Sequence, residues 1–277
     1  MMQLIQGYVA LARDNSRFVA FGVLMTFSSS FGQTYFIGIF GPQFQAEFGL
    51  THTGWGSIYL MGTLASAFLL PLTGKLVDRV DLRKYTLVVG LGLAFACWLT
   101  ALAWDPIVLV FAVLALRQTG QGLSSHIAQT SMARYFEGQR GRAIAVSTFG
   151  YASAEALLPV VAVLAIGWLG WRAAYATAGV VHVAVLLPAL LWLLRGHGVR
   201  HAAYLQRIAS RSDSTTGRAE SGWTRADVLK DKTFYFLLPG VMATSLVLTA
   251  MFFHHLNIAA AKGWSGEWIT GNYVVYS

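Results

Sequence analysis

Long apolar runs separated by short charged clusters make up most of this chain. A helix needs about 20 mostly apolar residues to cross the hydrocarbon core of a bilayer. Seven runs meet that length, and they are numbered here as spans 1 to 7: 18–40, 55–72, 85–104, 107–132, 143–169, 173–194 and 234–261. The pattern predicts an all-α integral membrane protein.

The end of the chain falls inside a further apolar run. This eighth run begins beyond Trp268, but the sequence stops at Ser277. Roughly ten residues cannot cross a core of about 30 Å as a helix. We therefore expect a fragment or the product of a truncated gene. Its predicted parts are a six-span bundle (1–194), a polar linker loop (195–232) and the start of a second bundle (233–277).

Composition supports a membrane rather than an aqueous surrounding. Hydrophobic residues make up 56% of the chain and charged residues only 12%, about half the charged share of a soluble domain. The net charge of +8 does not indicate nucleic-acid binding, because the charges recur between spans rather than forming one stripe. The single cysteine, Cys97, excludes a disulfide framework.

The distribution of lysine and arginine predicts the orientation. If the N-terminus is cytoplasmic, 17 of the 20 basic residues lie in segments on the cytoplasmic side. An excess of positive charge on that side is the strongest topological signal of membrane proteins. We therefore predict a multi-pass protein of the plasma (inner) membrane with the lipid bilayer as its surroundings.

Two motifs resemble those of the major facilitator superfamily of secondary transporters. The loop over 74–84 reads Gly-Lys-Leu-Val-Asp-Arg-Val-Asp-Leu-Arg-Lys, similar to the family signature Gly-x-Leu-x-Asp-Arg-x-Gly-Arg-Arg/Lys. It departs from the signature at Asp81, where the family has glycine. Span 4 carries Arg-Gln-Thr-Gly-Gln-Gly over 117–122, and the segment 135–143 that follows is similar to the monocarboxylate and oxalate–formate antiporter branch.

The resemblance implies a fold and a mechanism. Members of the family pack two six-helix bundles around a substrate site near the middle of the membrane, and the bundles rock to give alternating access. In the family, the loop residues corresponding to Gly74, Asp78, Arg79 and Arg83 brace the closed cytoplasmic side, as a gating loop. The proton-coupled monocarboxylate carriers have a lysine in the first helix; span 1 has none, so their mechanism does not carry over.

Two ionisable residues, Arg117 and Glu155, lie deep within spans 4 and 5. A charge at mid-membrane costs about 2.5–3.5 kcal/mol on insertion scales, so such residues face a cavity or a partner. Three interpretations stay open at this point. Arg117 binds an anionic substrate, or Glu155 takes up a coupled proton beside Arg117, or the two form a permanent structural ion pair. Gln121 follows Arg117 by about one turn and extends its polar stripe.

Three more residues are candidates for substrate binding or coupling. In span 1, Gln33 either faces the central cavity, which the first helix lines in the family that the chain resembles, or makes hydrogen bonds between helices. His254 and His255 lie in the second half of span 7, and since adjacent helical residues face about 100° apart, at most one should line a cavity. His126 follows Arg117 by nine residues, which places it on the opposite side of a regular helix.

Together these observations predict a secondary active transporter, a symporter or antiporter, for a small solute. A small organic anion such as a carboxylate, coupled to protons, is the expected substrate. The alternative is a non-transporting membrane sensor or partner-binding protein with the same fold. We expect no enzyme activity, no cofactor and no metal site, because no catalytic, nucleotide-binding or metal-ligand spacing occurs in the sequence.

Overall fold

The computed structural model describes residues 7, 11, 13, 15–136, 138–214 and 225–276. Every regular element in these ranges is helical, and five helical stretches are long and apolar enough to cross a membrane. The predicted all-α membrane class is confirmed. The helices are α1 Ser16–Ser29, α2 Thr34–Ile39, α3 Gly41–Phe48, α4 His52–Thr73, α5 Leu82–Ala101, α6 Pro106–Leu116, α7 Ser125–Tyr135, α8 Arg140–Val181, α9 Leu187–Leu193, α10 His197–Ser214, α11 Arg225–Lys230, α12 Lys232–Ala261, α13 Gly266–Gly271 and α14 Tyr273–Tyr276.

Span 1 is not the continuous helix that its apolar run predicts. A 3-10 turn over Ser30–Gly32 follows α1, and the backbone is then extended at Gln33, with φ −80° and ψ 154°. The helix resumes as α2. The break explains why span 1 is not among the five long apolar helices, since hydropathy registers side-chain polarity and not backbone continuity.

Spans 5 and 6 follow each other within one stretch, Arg140–Leu193, of 54 residues. At about 1.5 Å per residue a straight helix of that length would exceed two bilayer cores. The chain turns at Gly170, where φ 77° and ψ 161° lie in a region that only glycine adopts readily. The predicted boundary between 169 and 173 is therefore correct, and α8 comprises span 5 and the beginning of span 6.

Arg172 fixes this turn to the neighbouring loops. Its guanidinium donates to the carbonyls of Ala101 (3.0 Å) and Ala103 (2.6 Å) and to Glu47 Oε1 (2.9 Å). The hydrogen bond from Arg172 holds the pKa of the Glu47 carboxyl below its ordinary value.

Two hydrophobic clusters form the interior, one towards each end of the spans. The first includes Phe44, Trp55 and Tyr175, and the second includes Phe18 and Tyr135. The second lies at what is called here the basic end, where α1 begins, the 74–84 loop turns and α10 docks. There Arg17 donates to the Trp192 carbonyl, and His197 stacks on Phe18 with ring centroids 5.8 Å apart. The predicted loop 195–232 thus contains a docked helix, while its residues 215–224 lie outside the described ranges.

Candidate functional site

A polar cleft opens between spans 1, 4, 5 and 7. Its volume is about 330 Å³. It is called here the central cleft, and its lining consists of Gln33, Thr34, Tyr35, Gln121, Tyr151, Glu155, Ser245, Leu248, Thr249 and Phe252. The structure therefore brings together Gln33, Gln121 and Glu155, three of the residues that the sequence singled out.

A close contact between two glycines shapes this region. A Cβ on Gly32 would lie 2.1 Å from the Leu116 carbonyl oxygen and 2.9 Å from Gly120 Cα, so only glycine allows the two spans to meet here. Span 1 breaks at Gln33, immediately after this contact. Span 4 adopts a π-helix over Arg117–Ser124 at the same level. Broken transmembrane helices and π-helical turns both occur frequently at functional sites.

Arg117 lies beside the central cleft and is bound to its wall. Its Nη1 donates to the Gly32 carbonyl and to Thr34 Oγ1, each at 3.3 Å, and its Cζ lies 5.4 Å from the centre of the Tyr59 ring. The guanidinium has five N–H donors in all. It also lines an adjoining groove of about 450 Å³, which it shares with Gln121.

Glu155 is not an ion-pair partner of Arg117 in the described residues. The ion pairs there are Arg134–Asp78 and Arg172–Glu47. Glu155 Oε1 is buried in the wall of the central cleft and accepts no hydrogen bond from any described residue. Of the three interpretations of Arg117 and Glu155, the permanent ion pair is the one that this arrangement does not contain.

His126 is a residue that sequence reasoning placed wrongly. It lines the same groove as Arg117, although nine residues should carry it to the far side of an α-helix. The π-helix is the cause, because its hydrogen bonds skip five residues instead of four, and two such turns return to nearly the same face. The His126 ring also packs beside Gly74 of the gating loop, 3.4 Å from the position of an added Cβ.

Gln118 was also missed, and its role is to join spans 2 and 4. This buried side chain accepts from Ser66 Oγ (2.9 Å) and donates to Thr73 Oγ1 (2.7 Å). The two contacts flank Pro71, which interrupts the hydrogen bonding of α4. The only sign of this role in the sequence was the position of Gln118, a polar residue next to the arginine of the 117–122 motif.

The two histidines of span 7 are not among the residues that line the central cleft in the described part of the chain. The lining residues of α12 recur at the spacing of one helical face, which ends at Phe252. His254 is exposed and lies off that face. His255 is buried, with Nδ1 against the Phe252 carbonyl and its ring 5.5 Å from that of Tyr273.

The predicted gating loop turns tightly at the basic end. Gly74 to Asp78 form a 3-10 turn, and Asp78 pairs with Arg134 at the end of span 4. Asp81 replaces the family's glycine without opening the turn, because its Oδ1 accepts from the backbone N–H groups of Arg83 and Lys84, each at 3.1 Å, and caps α5.

The side chains of the two arginines in the predicted gating loop make no hydrogen bond or ion pair with the described residues. Arg79 and Arg83 are both exposed. They therefore do not brace anything within the part of the chain that the structure describes.

Span 7 closes only one side of the central cleft. Near its end, Phe253 packs on Trp55 and Tyr59, with ring centroids 5.5 and 4.7 Å apart. Phe252 approaches Gly38 of span 1. The first half of α12 is almost entirely exposed. This aromatic packing covers the side of the central cleft that is remote from the basic end.

These features define a class of protein: a helical membrane protein with a polar cleft between its spans has the construction of a membrane transporter. The sequence matches the profile of the Major Facilitator Superfamily over residues 22–276, and the chain belongs to this family of membrane transporters. A search of the curated proteins found no match. The superfamily resemblance read from the sequence motifs is thereby confirmed, and the family is one of transporters rather than enzymes.

Proposed function

We propose that this protein is a secondary active transporter of a small organic anion, such as a carboxylate, that works by alternating access. The observation that carries the proposal is Arg117, a guanidinium beside the central cleft that no described carboxylate neutralises. Only one of its nitrogens donates a hydrogen bond to a described residue. The planar arrangement of its other donors suits the two oxygens of a carboxylate.

Proton coupling is the second part of the proposal, with Glu155 as the group that takes up the proton. Its Oε1 lies in the cleft wall and accepts no hydrogen bond from the residues that the structure describes. Gln33 and Gln121 supply neutral polar contacts to the same volume. The similarity of the 135–143 segment to the monocarboxylate and oxalate–formate branch agrees with an anionic substrate.

The described arrangement corresponds to one state of the transport cycle. We place the basic end in the cytoplasm, by the positive-inside rule, and the protein in the plasma membrane with its N-terminus inside. The central cleft is then open to the cytoplasm, and the contact of Phe253 with Trp55 and Tyr59 closes the outer side. The Asp78–Arg134 pair lies at the open end, available for other partners when that end closes.

The test is uptake of a panel of labelled small carboxylates by cells expressing the complete gene, with Arg117→Ala, Arg117→Lys and Arg140→Ala in parallel. Charge-assisted hydrogen bonds contribute about 1.5–3 kcal/mol, so Arg117→Ala should lower apparent affinity at least about tenfold. Arg117→Lys keeps the positive charge, so its apparent affinity should fall less than that of Arg117→Ala. Arg140 is exposed at the start of α8, remote from the cleft, and its removal should leave uptake unchanged.

Two results would count against the proposal. Saturable uptake of a neutral or cationic solute, with no carboxylate transported, would show that the substrate class is wrong. Equal carboxylate uptake by the wild type and Arg117→Ala, at equal amounts of folded protein in the membrane, would show that Arg117 is not in the site.

A further inference from the structure

A second polar pocket lies at the basic end, outside the central cleft. Its volume is about 450 Å³, and it is formed where α1 begins, span 6 ends and α10 docks. It is called here the arginine pocket, because its lining includes Arg17, Arg195 and Arg200. Each arginine comes from a different one of these three segments.

The positive charge of the pocket has no counterpart within the described residues. No described carboxylate lines it, and the ion pairs in the described ranges use Arg134 and Arg172 instead. Three like charges around one cavity repel each other, so an anion in the pocket lowers the electrostatic energy of the folded protein.

Two of the three arginines are held in place by contacts that leave most of their donors free. Arg17 Nη2 donates to the Trp192 carbonyl at 2.6 Å, and its Cζ lies 5.0 Å from the Trp192 ring. Arg200 Nη2 donates to Asn15 Oδ1 at 3.2 Å, and its Cζ lies 4.3 Å from the Phe18 ring. Preorganised guanidinium groups of this kind recognise phosphate oxygens.

The start of α1 adds a second favourable feature. Asn15 and Ser16 line the pocket, and the Asn15 side chain makes no capping hydrogen bond to the first turn of this 14-residue helix. Its oxygen accepts from Arg200 instead. Helix N-termini attract anions through their free N–H groups and the helix dipole.

We propose that the arginine pocket binds a phosphate group carried by an anionic ligand, a function separate from transport through the central cleft. Two sources share this chemistry, the headgroup of an anionic phospholipid and a soluble phosphate compound. The surroundings favour the lipid, since Trp192 and Val199 next to the pocket are 51% and 79% exposed. Basic pockets at the ends of membrane helices bind such headgroups.

The experiment titrates short-chain phosphatidylglycerol onto the purified complete protein in neutral detergent and counts bound lipid by native mass spectrometry. Short-chain phosphatidylcholine is the zwitterionic comparison, and inorganic phosphate is the soluble arm. The variant is Arg195→Gln, because Arg195 is exposed and its side chain makes no hydrogen bond to the described residues. The matched control is Arg207→Gln, an exposed arginine of α10 outside the pocket lining.

We expect the wild type to bind phosphatidylglycerol in preference to phosphatidylcholine, and Arg195→Gln to weaken that binding about fivefold, the effect of about 1 kcal/mol per basic residue. Arg207→Gln should bind like the wild type. If inorganic phosphate binds with the same dependence on Arg195 while the lipid does not, the site is confirmed and its ligand is soluble. Loss of binding to the same extent in both variants, or in neither, would overturn the proposal.

Discussion

Arg117 shows how a single charge can be kept inside a membrane bundle without a carboxylate partner. The cost of about 2.5–3.5 kcal/mol at mid-membrane is offset by the Gly32 carbonyl, Thr34 Oγ1 and the face of the Tyr59 ring. None of these contacts neutralises the charge. The residue therefore remains able to attract an anion, which a permanent ion pair with Glu155 would have prevented.

Glu155 supports a prediction about coupling. Glu155→Gln keeps the shape of the side chain and removes its ability to take up a proton. If Glu155 carries the coupled proton, the variant should lose accumulation driven by a pH gradient, while substrate exchange across the membrane in the absence of a gradient persists. Both activities are measured in proteoliposomes containing the complete protein.

Glu267→Gln is the control for this experiment, because Glu267 is exposed in the first turn of α13. It should retain both activities. Gradient-driven accumulation that is unchanged in Glu155→Gln would remove Glu155 from the coupling mechanism and leave the anion proposal for Arg117 untouched.

At the scale of helices, the contact between Gly32 and Gly120 organises the site. It brings the backbones of spans 1 and 4 together where span 1 breaks and span 4 becomes π-helical. Gln33 is thereby turned into the cleft, and His126 is brought to the side of Arg117. Two local irregularities thus place most of the polar residues of the site.

We expect Gly120→Ala to destabilise the bundle. An added Cβ would lie 2.7 Å from Gly32 Cα and 3.1 Å from the Ser29 carbonyl oxygen, and overpacking of this kind costs about 1–3 kcal/mol. The thermal unfolding midpoint in detergent should fall. Gly167→Ala is the matched control: nothing lies within 4 Å of its added Cβ, so it should leave the midpoint equal or slightly raised. A Gly120→Ala protein as stable as the wild type would show that this contact is not a tight one.

The docking of α10 should depend on pH through His197. Burial lowers the pKa of His197 from 6.5 to about 4, with Asp81 opposing the shift and Arg134, Arg200 and His201 adding to it. In a detached α10, His197 would bind a proton at its ordinary pKa of 6.5. In the docked helix it binds one only near pH 4. The docked position of α10 is therefore most stable above pH 6.5, and it loses stability as the pH falls from 6.5 towards 4.

A spin label on Ala202→Cys, with Cys97→Ala as background, measures this effect through the mobility of α10. Mobility should rise as the pH is lowered from 6.5 to 4. His197→Phe can still stack on Phe18 but does not titrate, and its mobility should stay constant. The same rise in the His197→Phe protein would assign the pH response to another group.

The whole molecule is polarised between its two ends. Basic residues from the start of α1, the 74–84 loop, the end of span 4 and α10 gather at one end. The other end holds the Arg172–Glu47 contact and the aromatic packing of span 7. The orientation in the membrane decides which compartment each end faces.

Cysteine labelling tests that orientation. On the Cys97→Ala background, Lys84→Cys marks the basic end and His52→Cys the opposite end, and both positions are exposed. With the basic end in the cytoplasm, an impermeant maleimide should label Lys84→Cys in inside-out vesicles only and His52→Cys in right-side-out vesicles only. The Cys97→Ala protein, which has no cysteine, serves as the control for background labelling. The reverse pattern would show that the N-terminus is outside.

The sequence by itself determined the class, the family and most span boundaries. Hydrophobic run length and the motifs at 74–84 and 117–122 are local properties, so they can be read without coordinates. Gln33, Gln121 and Glu155 could also be chosen in advance, because a polar side chain in an apolar span is conspicuous whatever it contacts.

Only the tertiary structure decided how these residues meet. The break at Gln33 and the π-helix after Arg117 occur where Gly32 and Gly120 touch, and those glycines are far apart in the chain. A regular helical projection therefore put His126 on the wrong face. Whether Arg117 pairs with Glu155 likewise depends on the packing of three spans around them. Hydrophobicity places helices in the membrane, whereas contacts between their backbones set the geometry of the site.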